Sequence, residues 1–236
     1  MNGRVRYITL MPVYSFILIG FLLLALFGSR AVDVISVSSP ISGRQTVVID
    51  AGHGAPDGGA TSCTGVLESQ YNLEIALRLN DLLHLLGINT VMIRETDSSV
   101  YTEGESIAQK KVSDLKERVR IVNTTDNALL VSIHQNTFPE GKYSGAQVFY
   151  GPTDGSRELA ERMQALFVQT VNLNSRRQIK KADGIYLMQH ISRPGVLVEC
   201  GFLSNPQEAY FLGNAAYQQK ICSVIACAVS SWLFDT

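Results

Sequence analysis

Thr46-Val-Val-Ile-Asp-Ala-Gly-His-Gly-Ala-Pro-Asp-Gly-Gly-Ala60 is the stretch from which the rest of the chain can be read. Val47 to Ile49 is a β-branched apolar run, the composition of a buried strand. Asp50 closes it, and Gly52 to Gly65 then holds five glycines and Pro56. A strand that ends in a polar residue and enters a loop too glycine-rich to pack a core marks where an α/β protein places a site. His53 lies in that loop.

Working outward, Glu68 begins a helical pattern in which Leu73, Ala76, Leu77, Asn80, Leu83 and Leu86 recur at three- and four-residue steps. Gly87 is placed to stop it, and Asn89 to Ile93 reads as a second strand. Strand, helix and strand make a βαβ unit, so the two strands should be parallel. Asp97 to Lys111 reads as a polar surface insertion, and Lys111 to Asn123 as a helix carrying Arg118. Ala128 to His134 is a buried strand that ends in histidine. Ala146 to Tyr150 and Gly184 to Met188 read as further strands. Ser156 is a candidate cap for a helix running to about Val171. Asn172 to Asp183 is a polar loop with Arg176, Arg177, Lys180 and Lys181. Val196 to Glu199 is a short buried strand ending in a carboxylate. Gln207 to Leu212 and Ala215 to Phe234 read as closing helices.

Three strands thus end in a polar residue followed by a loop. In a parallel sheet, strand C-termini collect on one edge, where such folds bind ligands. Glu68 opens its helix beside the glycine loop and reaches the same edge. His53, Glu68, His134 and Glu199 are gathered there from distant parts of the chain. Two histidines and a carboxylate are the ligand set of a catalytic zinc site with a position left open for water. A further carboxylate can carry a proton from that water to a leaving amine. The pattern leaves a plain alternative open, that both strand-end histidines are structural. Glu199 is the residue that packing explains least, because a buried carboxylate without a partner is costly. His84 and His190 read as surface or packing residues.

The 236 residues suit one α/β domain. With 20 basic and 21 acidic residues the net charge is -1, and no global field points to nucleic acid. The cysteines, Cys63, Cys200, Cys222 and Cys227, form no disulfide framework or metal-binding spacing and read as small buried hydrophobes. Residues 1–30 carry Arg4 and Arg6, then about twenty uncharged residues from Ile8 to Phe27. A cleaved signal peptide and an uncleaved signal-anchor both remain open. The length of the run and the poor cleavage site at Gly28 to Ala31 favour the anchor. Either sends the remainder out of the cytoplasm. Residues 31–45 read as a serine-rich tether and residues 46–236 as the folded domain.

Four segments together resemble the zinc-dependent N-acetylmuramoyl-L-alanine amidases of the amidase_3 type: Val48 to Ala60, Glu68 with Asn72-Leu73, Ser132-Ile-His-Gln-Asn136, and Val196-Leu-Val-Glu-Cys-Gly-Phe-Leu-Ser-Asn205. The resemblance covers Thr46 to Phe234 and implies a three-layer α/β sandwich with a mostly parallel sheet. It implies one Zn²⁺ held by His53, Glu68 and His134, with Glu199 as catalytic acid/base. The implied substrate is peptidoglycan, at the amide joining the lactyl group of N-acetylmuramic acid to L-alanine of the stem peptide. Arg177 and Asn136 are candidates to bind substrate, and Asp50 and Asp57 to orient a ligand histidine. Turn chemistry is the alternative for the two aspartates, and a solvated loop for the basic cluster. Ser113 to Arg118 and Ser144 to Tyr150 are similar to the germination-specific spore-cortex amidases. That implies a role in forming muramic-δ-lactam, in the space between forespore and mother-cell membranes, with an accessory lipoprotein as possible partner. A vegetative autolysin or division amidase, a zinc peptidase or deacetylase, and a non-catalytic wall-binding module are the alternatives. The last would be expected to lack one of the four residues.

Overall fold

The computed structural model describes residues 45–173 and 175–235, so the readings of the N-terminal span and most of its tether lie outside the described residues. Among the described residues no helix is long and apolar enough to cross a membrane. In chain order the elements are β1 (Thr46–Ala51), α1 (Glu68–Leu85), β2 (Asn89–Met92), α2 (Ile107–Thr124), β3 (Ala128–Asn136) and β4 (Gln147–Tyr150). They continue with α3 (Ser156–Thr170), β5 (Lys180–Lys181), α4 (Tyr186–His190), β6 (Gly195–Phe202), α5 (Pro206–Leu212) and α6 (Ala215–Asp235).

The strands form one sheet in the order β2-β1-β3-β6-β4-β5. β2, β1, β3 and β6 are mutually parallel, while β4 pairs antiparallel with β6 and parallel with β5. Strand side chains alternate between faces. Val47, Ile49, Leu129, Val131, Ile133, Val196, Val198 and Cys200 join Ile75, Leu79, Leu83, Leu159, Met163, Phe167 and one side of α6 in the larger apolar cluster. Val48, Leu130 and Leu197 point the other way, to Val122, Leu187, Met188 and Ile191. Helices therefore cover both faces, giving the three layers expected. By the same alternation Asp50, Ser132, His134 and Glu199 emerge on the α2/α4 face.

Several local expectations change. The buried stripe of α1 is Asn72, Ile75, Ala76, Leu79 and Leu83, while Leu77 and Leu86 are exposed. The expected apolar spacing was correct, but its phase was about a residue off because α1 also buries Glu68 and Asn72. α2 begins at Ile107, where Ser106 and Gln109 form a reciprocal capping box that the sequence reading passed over. Ser156 does not cap α3. Gly155 occupies that position at φ 83°, and the Ser156 hydroxyl accepts from the Gly195 N–H instead. Gly184 to Met188 is not a strand. Its apolar run forms the helix α4, which turns Leu187, Met188 and Ile191 into one cluster, whereas a strand would send alternate side chains outward. His134 and Glu199 lie two and three residues inside their strands, because β3 and β6 continue to the pair Asn136 and Phe202 past a register shift. Cys200 and Cys222 are buried as expected, but Cys63 and Cys227 are exposed.

Candidate metal centre

β1 delivers the chain to Gly52, and the loop then reverses over the end of β3. Gly52 has to be glycine: a Cβ there would lie 2.2 Å from the His134 Nε2 atom. His53 takes a left-handed backbone, φ 61°, which a side chain disfavours. Gly59, at φ 69°, closes the loop where a Cβ would meet the Glu68 Oε2 atom and the His53 ring at 2.7 Å. The loop is thus bent around two imidazoles and one carboxylate.

Glu68 sits at the first residue of α1 and is 4% exposed. Its carboxylate accepts from the N–H groups of Ala60 (3.0 Å) and Gln135 (3.1 Å) and from the Asn72 amide (3.3 Å). Both histidines turn a ring nitrogen onto it, His53 Nε2 at 3.3 Å from Oε2 and His134 Nδ1 at 3.0 Å from Oε1. The rings meet edge to face with centroids 5.1 Å apart. One donor atom from each of His53, Glu68 and His134 lies within 4.8 Å of the others, so the three form a group that could hold a metal ion. Burial works to neutralise Glu68, but the two histidines outweigh it and hold its carboxyl well below the usual range. For His53, burial alone would lower the pKa. Glu68 and Asp57 reverse that and raise it.

The donor set suits zinc: two imidazoles and a carboxylate match a borderline-soft cation, and three protein ligands leave a tetrahedral position open. Glu199 supports the same fit. Its Oε2 atom is shielded from solvent and has no hydrogen-bond partner among the described residues. Burial pushes its pKa up to about 7. It shares with His53 and His134 a cleft of about 340 Å³ whose walls include Lys111, Leu115, Tyr186 and Leu187.

The remaining sequence candidates divide. Asp57 accepts from His53 Nδ1 at 3.1 Å and pairs with Lys111 at 2.9 Å. Burial works against its ionisation, but these partners hold its pKa at about 2. Asp50 does not reach a histidine, contrary to expectation. It pairs with Arg118 and accepts from the Ser132 hydroxyl at 2.6 Å, so it braces the loop from below. Arg118 also binds Asp114, at 2.7 Å. Arg177 and Asn136 do not line this cleft. Arg177 donates to the Ser144 carbonyl (2.7 Å) and the Gln147 amide oxygen (2.9 Å), lies over the Phe202 ring, and borders a second cleft of about 840 Å³. Gln147 is the register partner of Glu199, so Arg177 is two residues removed from the site. The carbonyl of Asn136 accepts from Leu203 N–H.

Three residues of the site escaped the sequence reading. Lys111 and Tyr186 line the cleft, and Arg94 lies buried behind the glycine loop. Nothing local marks Arg94, which is a single arginine after a strand. Lys111 had only its place near the start of a helix.

A family model described as N-acetylmuramoyl-L-alanine amidase matches residues 47–231. The germination-specific N-acetylmuramoyl-L-alanine amidase of Bacillus subtilis is 41% identical over 190 residues, spanning 80% of this chain and 79% of that protein. Among solved structures, the CwlD amidase from Clostridioides difficile, determined in complex with the GerS lipoprotein, superposes with a TM-score of 0.78 at 37% identity. It covers 82% of this chain and all of that one. The catalytic domain of CwlV from Bacillus (Paenibacillus) polymyxa gives 0.69 at 28% identity, covering 81% and 99%.

Proposed function

The chain belongs to the N-acetylmuramoyl-L-alanine amidase family, and from that premise we propose that it is a zinc enzyme that strips stem peptides from spore-cortex peptidoglycan. The observation that carries the reading is the metal-binding group His53, Glu68 and His134, whose two histidines share one cleft with Glu199, the Oε2 atom of which has no hydrogen-bond partner among the described residues. It is an enzyme of this amidase class, and its substrate class is peptidoglycan.

His53, Glu68 and His134 would hold the ion, with Asp57 fixing His53 through Nδ1 so that Nε2 is left to bind. A zinc ion held there would polarise the scissile carbonyl and lower the pKa of an adjacent water. Glu199 takes a proton from the attacking water as the new carbon–oxygen bond forms. It then passes the proton to the alanine nitrogen as the carbon–nitrogen bond breaks. Burial, which raises the pKa of this carboxyl in the metal-free protein, favours the protonated form that it needs to hand a proton to the nitrogen. Tyr186, Leu187 and Leu115 wall the cleft on the far side and limit water access to the reacting amide. Arg177 and Asn136 lie outside the cleft, so they would bind parts of the substrate that extend beyond it.

The similarity to the germination-specific amidase supports a role in cortex maturation, where stem removal exposes muramic acid for lactam formation. The similarity to CwlD in complex with GerS supports an accessory lipoprotein partner. The apolar N-terminal segment supports membrane attachment and action between the forespore and mother-cell membranes.

Digestion of purified peptidoglycan, followed by mass spectrometry, tests the activity. Glycan strands lacking stems and free peptides that begin with L-alanine are expected. Fragments cut within the stem, or loss of acetyl groups, would point instead to a peptidase or a deacetylase. Cortex from a deletion strain should lack muramic-δ-lactam, and normal lactam content would remove the sporulation role.

A further inference from the structure

Arg94 follows β2 and is 4% exposed. Its nearest carboxylate oxygen, on the half-exposed Asp97, is 3.9 Å away. The guanidinium is spent on carbonyls. Nε donates to Ala51 (2.7 Å), Nη1 to Thr96 (2.8 Å), and Nη2 to both Gly52 (3.0 Å) and Ser69 (2.8 Å). Gly52 immediately precedes His53, and Ser69 immediately follows Glu68. One nitrogen therefore ties the backbones of two members of the metal-binding group.

Two of these carbonyls, those of Ala51 and Gly52, do not depend on Arg94 for a donor. Ala51 also receives Arg118 Nη1 at 3.0 Å, and Gly52 receives the Asn72 amide at 3.1 Å. A buried cation is expensive to desolvate, and carbonyl satisfaction alone would not require one here. What arginine adds is a rigid planar fork that reaches several acceptors at once. Arg118 completes the grip from α2, donating to the His53 carbonyl at 2.5 Å. Three consecutive carbonyls, Ala51, Gly52 and His53, are thus held by two guanidiniums at the point where the chain adopts its left-handed turn.

We propose that Arg94 is a positioning residue that locks the His53 loop to the Glu68 turn and so presets the spacing of two metal ligands. The proposal rests on the reading of His53 and Glu68 as ligands. It gives Arg94 a role in metal affinity and geometry distinct from its role in stability.

The test compares zinc-free wild type, R94Q, R94K and H53A. Zinc affinity is measured by competition with a chromophoric chelator, ligand geometry by the visible spectrum of the Co²⁺ form, and stability by melting with and without zinc. R94Q should lose about 10–100-fold in zinc affinity, the range for groups that orient ligands. Its Co²⁺ spectrum should change, and zinc should raise its melting point less than that of wild type. R94K should fall between, because one ammonium reaches fewer of the four carbonyls. A merely structural Arg94 would lower both melting points equally and leave affinity and spectrum unchanged. That result in folded R94Q overturns the proposal, and in R94K alone if R94Q does not fold. H53A separates the two levels. If H53A binds zinc like wild type, the ligand reading fails. If it loses zinc while R94Q keeps wild-type affinity and spectrum, the ligand reading stands and the Arg94 role falls.

Discussion

On the β1 wall of the cleft, Asp50 is paired with Arg118 and receives the Ser132 hydroxyl at 2.6 Å, whereas on the β6 wall the Glu199 Oε2 atom has no hydrogen-bond partner among the described residues. Both carboxylates lie on the same face of the sheet near the same edge. Burial acts on each in the same direction, raising its pKa. At Asp50 the opposing charge of Arg118 wins and the pKa ends below 3.8. At Glu199 the histidines only partly offset burial, and it ends at about 7. The β1 wall is a scaffold with its charges compensated. The β6 wall keeps one group only partly compensated, and such a group near neutrality is the one that can exchange a proton.

The contrast breaks most visibly on exchange of Glu199. E199Q should lower kcat by about 10²–10⁴-fold, the range for loss of a positioned acid/base, with zinc content unchanged by elemental analysis. Activity within tenfold of wild type would place the proton transfer elsewhere. On the other wall the expected loss is in stability. R118M leaves Asp50 buried without its countercharge and should cost about 3–5 kcal/mol in denaturant unfolding. A cost under about 1 kcal/mol would mean that Asp50 is not held as the ion pair indicates.

A subtler difference concerns pH in the metal-free protein. Glu199 has a folded pKa above its unfolded value, so between about pH 4.5 and 7 the folded state keeps a proton that the unfolded state has released. Its contribution to stability therefore falls as pH rises through that window, by at most about 3 kcal/mol. E199Q should remove the loss, so that the variant is more stable than wild type at pH 8 and equal to it near pH 4. Asp50 has the opposite sign. Its depressed pKa stabilises the fold above about pH 4, and the benefit fades as pH falls through the lower folded value. Unfolding curves for E199Q and wild type that stay parallel from pH 4 to 8 would erase the distinction between the walls.

The sequence carried the β1 wall well. Val47 to Ile49, the glycine loop and the helix after Glu68 are local signals, each written in consecutive residues, and they held through to the sheet. The four residues of the metal-binding group and its facing carboxylate were also legible, because strand ends in a parallel sheet must meet at one edge. Elsewhere the sequence was ambiguous. The run Ile185 to Met188 fits a strand and a helix equally by composition, and only packing beneath the sheet chose α4. Asp50 was a candidate to orient a ligand histidine, with turn chemistry as the alternative. The arrival of Arg118 from α2, which pairs with Asp50, decided otherwise.

Taken alone, then, the order of residues determined the layer architecture, the parallel core of the sheet and which side chains would gather at its edge. These follow from hydrophobic period, glycine placement and chain connectivity, all of which are short-range. Tertiary structure alone decided which of the gathered charges are neutralised. Asp50 meets a guanidinium 68 positions away, Arg94 finds the carbonyls of Gly52 and Ala51 42 and 43 positions back, and the Glu199 Oε2 atom has no hydrogen-bond partner among the described residues. Pairing of buried charges depends on distances set by the whole fold, and no local pattern encodes them.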